Sequence, residues 1–147
     1  MNKKKTILQQ EVSPFKQAGV ALGANLIFNL VAWLIQKAGV ALTNTISWEI
    51  SLTLLLFFGL ANAIFFLNTT EKTKYWSYSI TSFITVAAVS IFVSTYLSGI
   101  GINDSASIKW IILIFSFSYL IFISIIGLMR RIVEIAIKQD KRLRGEQ

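Results

Sequence analysis

Apolar residues run along this chain in four blocks, at residues 18–35, 46–67, 75–97 and 108–129. Each is close to, or longer than, the roughly 20 residues a helix needs to cross the hydrocarbon core of a bilayer. The charged residues inside the blocks, Glu49 and Lys109, lie near block ends. Lipid offers the backbone no hydrogen-bond partner, so a crossing segment must satisfy its own amides, as a helix does. The pattern therefore predicts an all-α, polytopic membrane protein with four transmembrane helices.

Local signals place the helix ends. Ser13-Pro14 supplies an N-cap followed by proline at the first helical position, and the first helix is expected to run to about Gln36. The apolar residues 38–42 that follow either continue it or form an interfacial turn. The second helix is expected from about Trp48 to Leu67, stopped by Asn68, Thr69 and Thr70. So short a connection makes it an antiparallel neighbour of the third. Gly99 and Gly101 stop the third helix near Ser98. Asn103, Asp104 and Ser105 offer N-caps for the fourth.

Nothing between Ala106 and Leu143 breaks a helix. Glu134 with Lys138, and Asp140 with Arg144, are spaced i, i+4 in the favourable order. At about 100° per residue, Arg130, Arg131, Glu134, Lys138, Lys141 and Arg142 share one side, and Ile132, Ile135, Ala136 and Leu143 lie largely opposite. One helix of about 35 residues is expected, ending in an amphipathic cytoplasmic extension. The expected organisation is a mobile cytoplasmic N-terminus (1–13), a four-helix transmembrane domain (14–130), and a basic amphipathic helix and tail (131–147). Lys3, Lys4 and Lys5 resemble the start of a signal peptide. Polar residues and Pro14 follow where its short apolar region would be, so the first block is read as a retained span.

Charge adds an orientation. The 147 residues carry 14 basic and 7 acidic side chains. Grouping the N-terminus, the loop around Lys72 and the C-terminus puts 12 of the 14 on one side and leaves Lys37 and Lys109 on the other. The positive-inside rule then places both termini in the cytoplasm, and an even number of spans requires them to share a side. Trp48, Tyr96 and Trp110 are expected at the outer interface, Tyr75 and Trp76 at the inner one. Heavy use of Ile, Ser and Lys suggests a bacterial cytoplasmic membrane. Basic flanks are accounted for by topology and anionic lipid, so no nucleic-acid partner is expected.

Composition removes several chemistries. There is no cysteine and no histidine, hence no thiol chemistry and no imidazole base or ligand. Acids are not clustered. An enzyme is not expected, nor a cofactor or metal.

The remaining candidates are polar and small residues within the spans. Asn25, Asn29 and Asn62 cannot face lipid cheaply, so they are expected to hydrogen-bond between helices or to line a polar path. Placing the centres of the first two spans near Ile27 and Phe58 brings Asn25 and Asn62 to similar depths, so those two are expected to touch. Gly19 and Gly23 form a GxxxG, and Ser90, Ser94 and Ser98 a small-residue row. Both suit close helix approach, inside the bundle or against a partner. Arg130, Arg131, Lys138, Lys141 and Arg142 are candidates for contact with lipid or a partner. Glu49 and Lys37 are read as interfacial. Two functions compete. One is a non-catalytic accessory or assembly subunit of a larger membrane complex. The other is a small oligomeric carrier or flippase for lipid-linked substrates, with the asparagines as its path. Membrane lipids and another membrane protein, or further copies of the chain, are the expected partners.

Overall fold

The computed structural model describes residues 12–67, 69 and 72–145, with Lys72 as backbone only. The expected N-terminal tail, apart from Val12 and Ser13, lies outside the described residues. Four helices follow one another: α1 (Pro14–Lys37), α2 (Ile46–Leu67), α3 (Lys72–Ser98) and α4 (Ala106–Leu143). All four are long and apolar enough to cross a membrane.

The helix ends follow from local chemistry. The Ser13 carbonyl accepts from the amides of Lys16 and Gln17, and its hydroxyl accepts from Lys16 at 3.4 Å. Gly39 then closes α1. Its φ of 91° is one that L side chains rarely adopt. From there its amide bonds Gln36, and that of Val40 bonds Ile35, at 3.1 and 3.3 Å. This pair of backward bonds is the Schellman arrangement that satisfies the last carbonyls. Residues 38–42 therefore form a loop, not more helix. Gly99, with φ 69°, stops α3. Asp104 does not cap α4; its Oδ2 accepts the Gly101 amide at 2.7 Å, and Ser105 is the residue before the first turn. α4 runs unbroken for 38 residues, about 57 Å at the helical rise.

Helices α1, α2 and α3 pack on one another, whereas the α4 backbone runs close to α2 and stands further from α3, which it meets through side chains such as Tyr119. What α1 and much of α3 bury is the inverse of a water-soluble helix. The buried residues of α1 are Pro14, Gln17, Ala18, Asn25, Asn29 and Ala32, while Val20, Leu26, Ile27, Phe28 and Leu30 stand exposed. In α3, Ser79, Ser82, Ser90 and Ser94 are buried and Ile84 and Phe92 exposed. Apolar side chains lose nothing by facing lipid, and small or amide side chains gain close approach and hydrogen bonds by facing each other. This arrangement supports an integral membrane location.

The larger apolar contacts gather between α2, α3 and α4. Tyr119 stacks on Phe83 with centroids 4.1 Å apart and planes 6° from parallel. Gly59 makes room, since a Cβ there would stand 3.3 Å from the Tyr119 ring. Phe66 stacks on Tyr75 at 5.5 Å. Two of the rings expected at interfaces turn inward instead. Trp48 is only 1% exposed, its indole N–H donating to the Ile100 carbonyl at 3.1 Å. Tyr75 is buried as well. Each sits near a helix end, where a neighbouring polar group bonds its polar atom, the Ile100 carbonyl accepting from Trp48 and Gln17 donating to the Tyr75 hydroxyl, so the ring need not reach the headgroups. Trp76, Tyr96 and Trp110 remain exposed.

Candidate functional site: a polar interior in two nodes

The amides expected to form one cluster form two. The first node joins α1, α2 and α3. Asn25 donates through Nδ2 to Ser90 Oγ at 2.9 Å. Its Oδ1 accepts from Asn29 Nδ2 at 2.6 Å and from Ser51 Oγ at 2.9 Å. Ser94 Oγ donates toward Ser51 Oγ at 2.7 Å and lies 3.1 Å from the Ser47 carbonyl. Asn25, Asn29, Ser51 and Ser94 are all at most 1% exposed. Small side chains on α2 and α3 let these helices come close enough to α1 for the two amides to reach both.

The second node lies nearer the end of the bundle that holds the starts of α1 and α3, called the base below. Here Gln17 donates to the Tyr75 hydroxyl at 2.8 Å and to the Val12 carbonyl at 2.9 Å. Asn62 donates to Gln17 Oε1 at 3.2 Å, and Tyr119 donates to Asn62 Oδ1 at 3.0 Å. The run Tyr119–Asn62–Gln17–Tyr75 takes one residue from each helix. It is the only polar chain among the described side-chain bonds that crosses all four.

Asn25 and Asn62 therefore do not touch, contrary to the expectation from span centres. The bonds set Gln17 level with Asn62, and Asn25 level with Ser51. Relative to Ile27 opposite Phe58, α1 has slid along α2 by roughly two turns. Asn62 then lies eleven residues from Ser51, about 16 Å along the axis. The midpoint estimate failed because antiparallel spans need not meet at their centres, and it left out Gln17, the buried residue whose bond to Asn62 marks the true offset. A signal was present: Gln17, Asn25 and Asn29 fall within about 120° of one helical face. Ser51, Tyr75 and Tyr119 carried no comparable mark, being ordinary in a span.

The remaining candidates separate. Ser90 and Ser94 are buried in the first node. Ser98 is half-buried, donates to the Ser94 carbonyl at 2.6 Å and accepts the Ile100 amide at 3.1 Å, finishing α3. Gly19 and Gly23 point away from the bundle, with no heavy atom within 4 Å of where a Cβ would stand. Arg130, expected as a lipid or partner contact, is used within the chain. Its guanidinium donates to the carbonyls of Phe66 and Thr69 at the end of α2 and lies 5.9 Å from the Phe66 ring centre. Those carbonyls have no helical donor left, and a cation there also suits the helix dipole. Arg131, Lys138, Lys141 and Arg142 are exposed. Glu49 accepts from Thr45 at 2.8 Å, and Lys37 stands 5.7 Å over Trp33.

Both nodes are built of neutral groups, and each amide bond within them is made to another side chain or a carbonyl. One atom stands out: Asn29 Oδ1 is fully buried and has no hydrogen-bond partner. Comparison with protein-family models, curated proteins and solved structures found no match.

Proposed function

We propose that this chain is a non-catalytic accessory or assembly subunit of a larger membrane complex. One observation carries the reading: α1 is two-faced. Its polar face is spent inside the bundle on Ser51, Ser90, Asn62 and Tyr75. Its opposite face holds Gly19 and Gly23 with nothing against them. Beside that face runs an apolar recess between α1 and α2, in two parts of about 360 and 570 Å³ that share Leu54 and Phe57. A helix from another membrane protein, or from a second copy, fits such a surface by shape and close backbone approach.

The proposed setting is a bacterial cytoplasmic membrane with both termini in the cytoplasm, on the 12-to-2 division of basic residues. There the end of α4 forms a basic amphipathic extension, and Arg131, Lys138, Lys141 and Arg142 meet a partner or anionic lipid. Single cysteines at Ser13 and Ser105 test the orientation: an impermeant reagent applied outside should label the second and spare the first.

The function is tested by purification in mild detergent at native expression, with identification of co-purifying proteins. A stoichiometric larger membrane protein is the expected result. A homo-oligomer without other protein would favour the second reading, a small oligomeric carrier or flippase for lipid-linked substrates. The spare acceptor on Asn29 supports that alternative, since an unfilled hydrogen-bonding position mid-bundle is what a polar path needs.

A further inference from the structure

We propose that the basal wedge between α3 and α4 holds one anionic phospholipid, its phosphate on Arg131 and an acyl chain along the groove. The wedge exists because the α4 backbone lies close to α2 and stands off from α3, and below the Tyr119–Phe83 stack the gap is left open. It encloses about 390 Å³. Its deep side is Phe66 and Ile123; Trp76 on α3 and Leu128 on α4 form the walls. Gly127 adds no side chain to the lining, and a Cβ there would rest in ordinary contact on the Phe66 ring, 3.7 Å away. No water reaches such a slot inside a bilayer, so an apolar chain is its natural filling.

The charge is all at one end. Arg130 and Arg131 line the same groove where it opens at the base. Arg130 is committed to the α2 carbonyls, so it contributes its field but not its donors. Arg131 is exposed at the mouth, and a guanidinium offers a planar fork suited to phosphate oxygens. Thr73 adds a hydroxyl on the α3 side, and Trp76, 43% exposed, stands where an indole meets headgroups. Basic pockets between spanning helices are a known way of holding anionic headgroups. The wedge differs from the α1–α2 recess, which is apolar along its length apart from Lys16, Gln17, Glu49 and Thr53. The inference is independent of whether the chain serves a larger complex.

The test is native mass spectrometry of the full chain after exchange into nanodiscs of equal phosphatidylglycerol and phosphatidylcholine. The wild type is expected to retain one phosphatidylglycerol in preference to phosphatidylcholine. Arg131→Gln should weaken that retention about fivefold, the effect of one surface cation. Arg142→Gln, further along α4, should leave it unchanged. Ser124→Phe, which fills the groove from its open side, should lower retention of either lipid. Circular dichroism confirms that each variant keeps its helices, and all three altered side chains are exposed in the fold. Equal retention of the two lipids by the wild type would overturn the proposal. An Arg142→Gln effect as large as that of Arg131→Gln would do the same, by showing diffuse attraction. Displacement by millimolar glycerol 3-phosphate would also overturn it, since the slot would then bind a soluble anion and not a lipid.

Discussion

The two polar nodes use the same chemistry for different work. The Asn25 node is dense and local: three side chains, on α1, α2 and α3, bond the single amide of Asn25, and Ser94 joins them through Ser51. The Asn62 node is sparse and long: one bond at each step, one residue from each helix. The first fixes how closely three helices approach. The second ties α4, which otherwise rests on apolar contacts and the Arg130 cap, to the rest of the bundle. Density makes a node strong, and reach makes it architectural.

The comparison breaks first at Asn25. Asn25→Ala removes three side-chain bonds and takes from the buried Ser90 its donor and from the Ser51 hydroxyl its acceptor, while Asn29 Nδ2 keeps the backbone carbonyl of residue 25. A loss of about 2–4 kcal/mol is expected in denaturant unfolding from detergent micelles, with α4 still docked. Asn62→Ala removes two bonds and should lose about 1–3 kcal/mol. Its distinguishing mark is at α4: hydrogen exchange around Tyr119 should quicken, which Asn25→Ala should not cause. Equal exchange in the two variants would show that the nodes are one unit.

A sharper test is a pair of double-mutant cycles. Asn62→Ala with Tyr119→Phe should show an interaction energy of about 1 kcal/mol, because the two side chains bond directly. Tyr119→Phe also keeps the stack on Phe83, so only the hydroxyl is probed. Asn25→Ala with Asn62→Ala should be additive within about 0.5 kcal/mol, as for distant sites. Coupling in the second cycle would restore the contact that the helix slide removed. The smallest effect is expected at Gly23. Its Cβ position is open, so Gly23→Ala should change the stability of the isolated chain by no more than about 0.5 kcal/mol. A loss above 1 kcal/mol would mean that α1 packs there on something the single bundle lacks.

Much of the fold was legible in the residues taken alone. Block lengths gave four helices, because spanning a bilayer requires a set number of apolar residues. Local residues gave several of the ends: Gly99 takes a backbone angle open chiefly to glycine and Ser13-Pro14 opens α1 within its own turn, whereas the part of Gly39 in closing α1 came from the structure. The absence of a breaker from Ala106 to Leu143 gave the length of α4. The burial of Asn25, Asn29 and Asn62 followed too, since lipid cannot replace an amide's partners.

What the sequence by itself determined is thus whatever depends on one helix and its solvent. Which amide met which depended on the axial slide between helices, and no local signal encodes a slide. Apolar faces pack at several offsets with similar energy, so the offset was chosen jointly by Gln17, Ser51, Ser90 and Tyr119 finding partners at once. The same holds for Trp48 and Tyr75, whose rings turned inward because a carbonyl and an amide from distant stretches of chain stood within reach. Arg130 turned to the end of α2 for the same reason, and left Arg131 at the mouth of the wedge. Only the tertiary structure brings residues dozens of positions apart to the 3 Å at which a hydrogen bond forms.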